Sequence, residues 1–81
     1  MNDKRFPKPV RLSLSAAYPR NVSTAWEATE CLTNQWPRRT GRAYRTAMQF
    51  CLDALDGVRP ASKARRAFEA AAREAGVLVS K

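Results

Sequence analysis

The segment Gly41–Asp56 carries the feature of this chain that most constrains its fold. At about 100° per residue in an α-helix, its apolar residues cover an arc of roughly 200° around the helix axis. These residues are Ala43, Tyr44, Ala47, Met48, Phe50, Cys51, Leu52, Ala54 and Leu55. A helix that is apolar over so wide an arc is covered by neighbours on two sides. We therefore expect Gly41–Asp56 to be the central and most buried helix of the domain.

Two further helices flank this segment. Thr24 and Glu27 have the spacing of a capping box, in which each side chain accepts a hydrogen bond from a free N–H group at the helix start. We expect the first helix to run from Thr24 to about Trp36. The third helix, about Ala61–Ala75, is rich in alanine, so it is predicted to approach a neighbouring helix closely, with Phe68 as its main core side chain.

Short strands precede and follow the helices. Val10–Leu14 alternates apolar and polar residues, as a half-buried strand does, and Arg20–Val22 forms a second short strand. Val77–Val79 follows the third helix and is expected to pair with the first strand. The predicted fold class is α+β, a small two- or three-stranded sheet packed against three helices in the order β(β)αααβ. Residues 1–9 are predicted to form a flexible basic arm, followed by a single compact domain of residues 10–80.

The chain of 81 residues has a formal net charge of +8, from 15 Lys and Arg against 7 Asp and Glu. Such a surface attracts polyanions at low salt, whether or not this is its function. No apolar run is long enough to span a bilayer, and no apolar stretch follows the charged start. We therefore expect a cytoplasmic protein that does not bind membranes.

The sequence contains little of the equipment that catalysis requires. It has no histidine, so the commonest general base is missing, and its three glycines lie too far apart to form a phosphate-binding loop. Cys31 and Cys51 fall within helix patterns and are expected to be small buried hydrophobic residues, with Cys51 reduced and inert. Two cysteines without histidine do not make a zinc site. We expect no enzymatic activity, no catalytic residues, no cofactor and no metal.

The charges along the central helix oppose the helix dipole. Arg42 and Arg45 begin this helix and aspartates end it, the reverse of the favoured order. A bound phosphate or carboxylate would offset the conflict, because free N–H groups converge at a helix start. We predict an anion-binding site, with Thr40 as the N-cap, that consists of Arg38, Arg39, Thr40, Gly41, Arg42 and Arg45. The alternative is that Glu74 of the third helix pairs with Arg42 or Arg45.

Two classes of function stay open. The leading hypothesis is a non-catalytic protein-interaction or regulatory module that binds an unknown protein partner or itself. Trp26 lies off the apolar stripe of its helix, so it is either a lid over the sheet or an interface residue, a role in which tryptophan is common. The alternative is non-specific binding of nucleic acid or another polyanion through the arginines. Specific DNA recognition is not favoured, because the helix that would read bases is mostly apolar and ends in acids.

Residues spread over most of the chain resemble one known family. They are Trp26, Glu27, Ala28, Leu32, Trp36, Pro37, Gly41 and Tyr44, then Cys51, Leu52, Ala54, Leu55 and Gly57, and then Ala64, Arg65, Ala67, Phe68, Ala71, Ala72, Glu74, Ala75, Gly76 and Val77. Over roughly residues 8–80 the chain resembles the small bacterial proteins grouped as domain of unknown function 982. The resemblance implies a single compact domain of this size and brings no activity, ligand or catalytic residue.

Overall fold

The computed structural model describes residues 5–13, 19–37 and 39–79. Its elements are β1 (Arg5–Leu12), β2 (Arg20–Thr24), α1 (Ala25–Asn34), α2 (Arg42–Leu55) and α3 (Ala61–Ala75). The strands β1 and β2 form an antiparallel sheet. An isolated antiparallel bridge joins Leu12 of β1 to Leu78, after α3. The predicted α+β class is confirmed, and the segment after the third helix lies along the first strand.

Strand β1 begins at Arg5, before the alternating pattern starts at Val10. Phe6 is buried in the core, which anchors the beginning of the strand. Residues 5–9, which the sequence analysis assigned to a flexible arm, therefore belong to the sheet. Residues 1–4 of that predicted arm lie outside the described residues.

Two prolines explain why the sequence pattern did not reveal this part of the strand. Arg5 pairs with Thr24 and Val10 with Val22, so the register shifts between these two pairs. The shifted stretch contains Pro7 and Pro9, which have no N–H group to donate to a strand ladder. Proline within a strand is typical of bulges and sheet edges, and it interrupts the alternation by which strands are recognised.

The outer edge of β1 is paired only at its end. Ser13 N donates to Val77 O at 2.8 Å, and Val79 N donates to Arg11 O at 3.0 Å. Pro9 takes the next position in this alternating series and has no N–H group to offer. The edge is therefore protected against pairing with an additional strand, as natural sheet edges commonly are.

Phe68 of α3 is the largest fully buried side chain of the core. Its ring centroid lies 6.2 Å from that of Phe6 and 5.4 Å from that of Trp36. The cluster thus joins β1, the segment after α1, and α3. The remaining buried residues of α3 are all alanines, namely Ala64, Ala67, Ala71 and Ala72. Their small side chains let α3 pack closely against its neighbours, as the sequence predicted.

The start of α1 follows its predicted cap closely. Thr24 is the N-cap residue, and its hydroxyl oxygen accepts a hydrogen bond from Glu27 N at 3.1 Å. The carboxylate of Glu27 accepts in turn from Ser23 N at 2.8 Å. These bonds satisfy two backbone donors at the junction of β2 and α1, which makes the junction rigid. The helix ends at Asn34, before the predicted end near Trp36.

The prediction that Gly41–Asp56 is the most buried helix is wrong. Only Ala47, Cys51 and Ala54 of α2 are buried, whereas α3 buries five residues in a helix of similar length. The central place belongs to α3, which packs against α2, β1 and α1. The apolar arc of α2 is therefore wider than the surface its neighbours cover. The apolar arc of a helix can be read from the sequence. How much of that arc is buried depends on which other elements pack against the helix, and the sequence pattern does not show this.

Both flanks of the α2 arc reach the surface. On one flank the guanidinium of Arg59 lies 3.9 Å from the centroid of the Phe50 ring, so a charged side chain covers this aromatic residue instead of a helix. On the other flank Leu52 is 43% exposed. Tyr44, Met48, Phe50 and Leu55 are half-buried and pack against the core from its margin.

Replacing Phe68 by alanine is expected to lower the free energy of unfolding by about 3–5 kcal/mol, because it empties the fully buried centre of the core. Leu52→Ala is the matched control on α2 and should cost within about 0.5–1 kcal/mol, as substitutions at exposed positions do. Urea denaturation monitored by circular dichroism measures both. A cost for Leu52→Ala equal to that for Phe68→Ala would contradict the placement of Leu52 at the surface.

Candidate functional site

The start of α2 has a different cap from the predicted one. Gly41, not Thr40, is the N-cap residue, with φ 102° and ψ 161°, a conformation that in practice only glycine adopts. No side chain donates or accepts a capping bond at this helix start. Thr40 is exposed and precedes the cap, so its predicted role as N-cap is wrong. The first N–H groups of α2 are consequently available to an acceptor.

The residues of the predicted anion site are only partly brought together. Thr40 and Gly41 line a pocket of about 150 Å³, and the remaining lining residues are Trp36, Tyr44, Ala71, Glu74 and Ala75. Arg39, Arg42 and Arg45 are exposed and do not line this pocket. Within the described part of the chain none of these three arginines forms an ion pair. Arg38 lies outside the described residues.

Glu74 places a carboxylate at the start of α2. A Cβ atom added to Gly41 would lie 3.4 Å from Glu74 Oε1. This geometry resembles the alternative drawn from the sequence, except that Glu74 lies beside the helix start and forms no ion pair with Arg42 or Arg45. A negative charge here stabilises the helix through its dipole. An external anion at this position would meet the repulsion of Glu74, and the anion-binding site stays a prediction.

Replacing Glu74 by glutamine tests whether this carboxylate stabilises the start of α2 through the helix dipole. The free energy of unfolding is expected to fall by about 0.3–1 kcal/mol at low salt, because α2 loses a negative charge beside its first turn. Polyphosphate should then raise the melting temperature of Glu74→Gln by more than that of the parent chain. Glu30→Gln, an exposed acid of α1, is the control and should change neither quantity. An unchanged response to polyphosphate in Glu74→Gln would argue against an anion site at this helix start.

Large apolar side chains are exposed on a different part of the molecule. Trp26 is 62% exposed, Leu52 43% and Val58 71%. The exposure of Trp26 favours the interface alternative over a lid on the sheet, and the interface role stays a prediction. Leu52 was predicted to be a core residue, but it lies at the edge of the apolar arc beside Arg45, a position that the sequence alone could have marked as exposed.

Trp26 is exposed on α1 and Leu52 on α2, two helices that pack against each other. Tyr44 Oη donates to Leu32 O at 2.9 Å, which places the Tyr44 flank of α2 against α1. Leu52 lies about 80° around α2 from Tyr44, on the outward side of this flank. On α1, Trp26 lies about 140° from the buried Cys31 and about 120° from the buried Leu32. Trp26 is therefore on the solvent side of α1.

We use the name α1–α2 face for the exposed apolar residues of these two packed helices, together with the half-buried neighbours of Leu52 on α2. Its members are Trp26, Met48, Leu52 and Leu55. Met48, Leu52 and Leu55 recur at helical spacing and therefore share one side of α2. The face is apolar, and two of its four side chains are exposed.

Both thiols are buried. Cys31 is 1% exposed and Cys51 is fully buried, and no disulfide joins them. Burial raises the pKa of Cys51 to about 12. Burial also raises the pKa of Cys31, although Arg20 acts in the opposite direction. Because the thiolate is the reactive form, neither side chain is suited to nucleophilic chemistry at neutral pH. The described residues contain no group of three or more His, Cys, Asp and Glu positioned to hold a metal ion.

Cys51 is expected to resist alkylation by iodoacetamide at pH 8 until denaturant is added, as peptide mapping can show. Its folded pKa is raised above the ordinary value of 9.0, so its contribution to stability is complete below pH 9 and is lost as the pH rises toward about 12. The free energy of unfolding of Cys51→Ala should therefore fall less between pH 9 and pH 11 than that of the parent chain. Rapid labelling of native Cys51 would contradict its burial.

These features define a small basic α+β domain with an arginine-rich helix start and an exposed apolar face. In the described part of the chain, no helix is long and apolar enough to cross a membrane. Residues 8–79 match the family described as Protein of unknown function (DUF982), and the chain belongs to that family. The family expected from the sequence is thus confirmed.

A solved structure with the same fold is also similar in sequence. The chain is similar to the Agrobacterium tumefaciens protein Atu1219, whose structure was determined by NMR. The two share 38% sequence identity and superpose with a TM-score of 0.81, over 99% of this chain and 80% of that chain. No curated protein matches the chain.

Proposed function

We propose that this protein is a non-catalytic interaction module that binds an acidic protein partner through the α1–α2 face. The observation that carries the proposal is the exposure of Trp26 on α1 and of Leu52 on α2, at 62% and 43%. Tryptophan is the residue type most enriched among the energetically dominant residues of interfaces.

The energy available at Trp26 is large for a domain of this size. A tryptophan buries roughly 150–250 Å² when it is fully covered. Because 62% of Trp26 is exposed, covering it would contribute about 2–4 kcal/mol of gross transfer free energy. Core residues are scarce in a chain of 81 residues, and a tryptophan left at the surface contributes little to folding. A partner that covers Trp26 and Leu52 would bury the apolar area that stays exposed after folding, and this burial would favour binding.

The charge of the chain indicates what kind of partner fits. A net charge of +8 raises the free energy of bringing two copies together and attracts an acidic protein over long range. We therefore favour an acidic partner that presents an apolar segment to the α1–α2 face, and treat self-association as a competing outcome.

Binding of nucleic acid or another polyanion is the second candidate. Arg39, Arg42 and Arg45 favour it, because they are exposed and form no ion pair with any residue of the described chain. The carboxylate of Glu74 beside Gly41 weighs against it at the start of α2. Salt dependence separates the two candidates, since binding to phosphates weakens steeply with salt and apolar association does not.

The proposal is tested by affinity capture from native cells, treated with nuclease, with the full chain as bait. The parent chain is compared with Trp26→Ser/Leu52→Ser and with the control Lys63→Ser/Arg66→Ser, which changes exposed residues of α3 outside the α1–α2 face. We expect one or more acidic proteins to be retained by the parent and the control and lost from the Trp26 variant. Calorimetric titration of the purified partner should then show at least tenfold weaker binding to the variant, the effect of losing one interface anchor.

Several outcomes would contradict the proposal. Captured material that disappears after nuclease treatment, with a steep salt dependence, would favour the polyanion candidate. Sedimentation that shows a dimer of the parent chain and a monomer of the Trp26 variant would assign the face to a second copy. Equal capture by all three baits would remove the α1–α2 face from consideration.

A further inference from the structure

A second surface, distinct from the α1–α2 face, combines a groove with a surplus of positive charge. It lies between β1 and α3, beside the segment that follows α3, and has a volume of about 340 Å³. Among the described residues, its lining includes the three arginines Arg11, Arg65 and Arg73 and the four apolar residues Pro9, Val10, Leu78 and Val79. The sequence pattern does not reveal this groove, because its residues come from three separate segments of the chain.

One guanidinium of the groove is held in place by the protein itself. Arg65 Nε donates to Lys8 O at 2.8 Å, and Arg65 Nη1 donates to Glu69 Oε1 at 3.2 Å. The side chain of Arg65 is 21% exposed. A guanidinium that is already fixed by two hydrogen bonds loses little conformational entropy when it binds a ligand.

The positive charge of the groove is not balanced internally. Among the described residues Glu69 is the only acid that lines it, and this carboxylate is already paired with Arg65. Arg73 is exposed and lies two turns after Arg65, on the same side of α3. Neither Arg11 nor Arg73 has an ion-pair partner in residues 5–13, 19–37 or 39–79. Three arginines against one acid leave a surplus of two positive charges.

We propose that this groove binds a small phosphate monoester, with the phosphate near the arginines and the organic part against Val10, Leu78 and Val79. A phosphate monoester carries roughly −1.5 to −2 charges at neutral pH, which matches the surplus of the groove better than a single carboxylate does. The planar fork of arginine is suited to phosphate oxygens. The volume lies at the lower end of the range for small-molecule sites, roughly 300–1,000 Å³.

The test is a titration of the ¹⁵N-labelled chain with AMP and, separately, with inorganic phosphate, at constant ionic strength, followed by NMR. We expect saturable shifts in residues 9–11, 65–73 and 78–79, with tighter binding of AMP, because inorganic phosphate lacks the organic part. Arg73→Gln should weaken binding of AMP about tenfold, the usual effect of losing a charge-assisted contact. Arg66→Gln removes the same charge from an exposed position of α3 outside the groove and should leave the affinity within about twofold of the parent.

Two further variants test the groove without relying on Arg73→Gln alone. Arg11→Gln should weaken binding as Arg73→Gln does. Glu69→Gln should strengthen it, because the groove loses the acid that competes with the phosphate for Arg65. Equal effects of Arg66→Gln and Arg73→Gln would reduce the binding to general charge attraction and overturn the proposal. Circular dichroism confirms that each variant is folded before it is titrated.

The source of the phosphate is distinguished by a third titration, with a single-stranded oligonucleotide of about twelve nucleotides. If AMP competes with the oligonucleotide for the groove, the groove recognises the phosphate group in both, and the proposal holds. Binding of the oligonucleotide to the groove without any binding of AMP would overturn the small-ligand proposal and assign the groove to a nucleic acid backbone.

Discussion

The packing of Phe68 between Phe6 and Trp36 is the contact on which the rest of this structure depends. It is the only place where a large side chain of α3 enters the core, since the other buried residues of that helix are alanines. The contact also draws β1 and the segment after α1 onto the same helix. In a domain this small the core has room for one such centre, and α3 occupies it. The helix α2 is consequently placed at the margin, although its sequence is the more apolar of the two.

The surface features follow from this marginal position of α2. Its apolar arc is wider than the area that α3 and α1 cover, so Leu52 remains in contact with water and Arg59 covers Phe50. The buried residues of α2 and the exposed Leu52 therefore lie on different sides of the same helix. Substitutions on the exposed side can alter binding with little effect on folding, which makes the proposed interface experimentally separable from the core.

The features predictable from the sequence were those encoded by neighbouring residues. The capping pair Thr24 and Glu27 acted as predicted, because it needs only one helical turn to define it. The burial of α2 was not predictable, because a helical wheel shows an apolar face without its neighbours. The start of β1 was hidden by Pro7, which breaks the alternation of a strand that nevertheless forms.

The candidate anion-binding sites also show that the sequence predicts local features but not those that depend on tertiary structure. The charge order along α2 indicates that its start needs a negative charge, and this inference requires only the helix dipole. Whether that charge comes from a ligand or from the protein depends on tertiary structure, and Glu74 lies at the required place although it is distant in sequence. In the groove between β1 and α3 the protein does not supply enough negative charge. Glu69 is paired with Arg65, and no other described residue forms an ion pair with Arg11 or Arg73. An anionic ligand is favoured where positive charges outnumber the acidic side chains of the protein, so the groove is a better candidate for an anion-binding site than the start of α2. Only the folded arrangement of three separate segments reveals the groove.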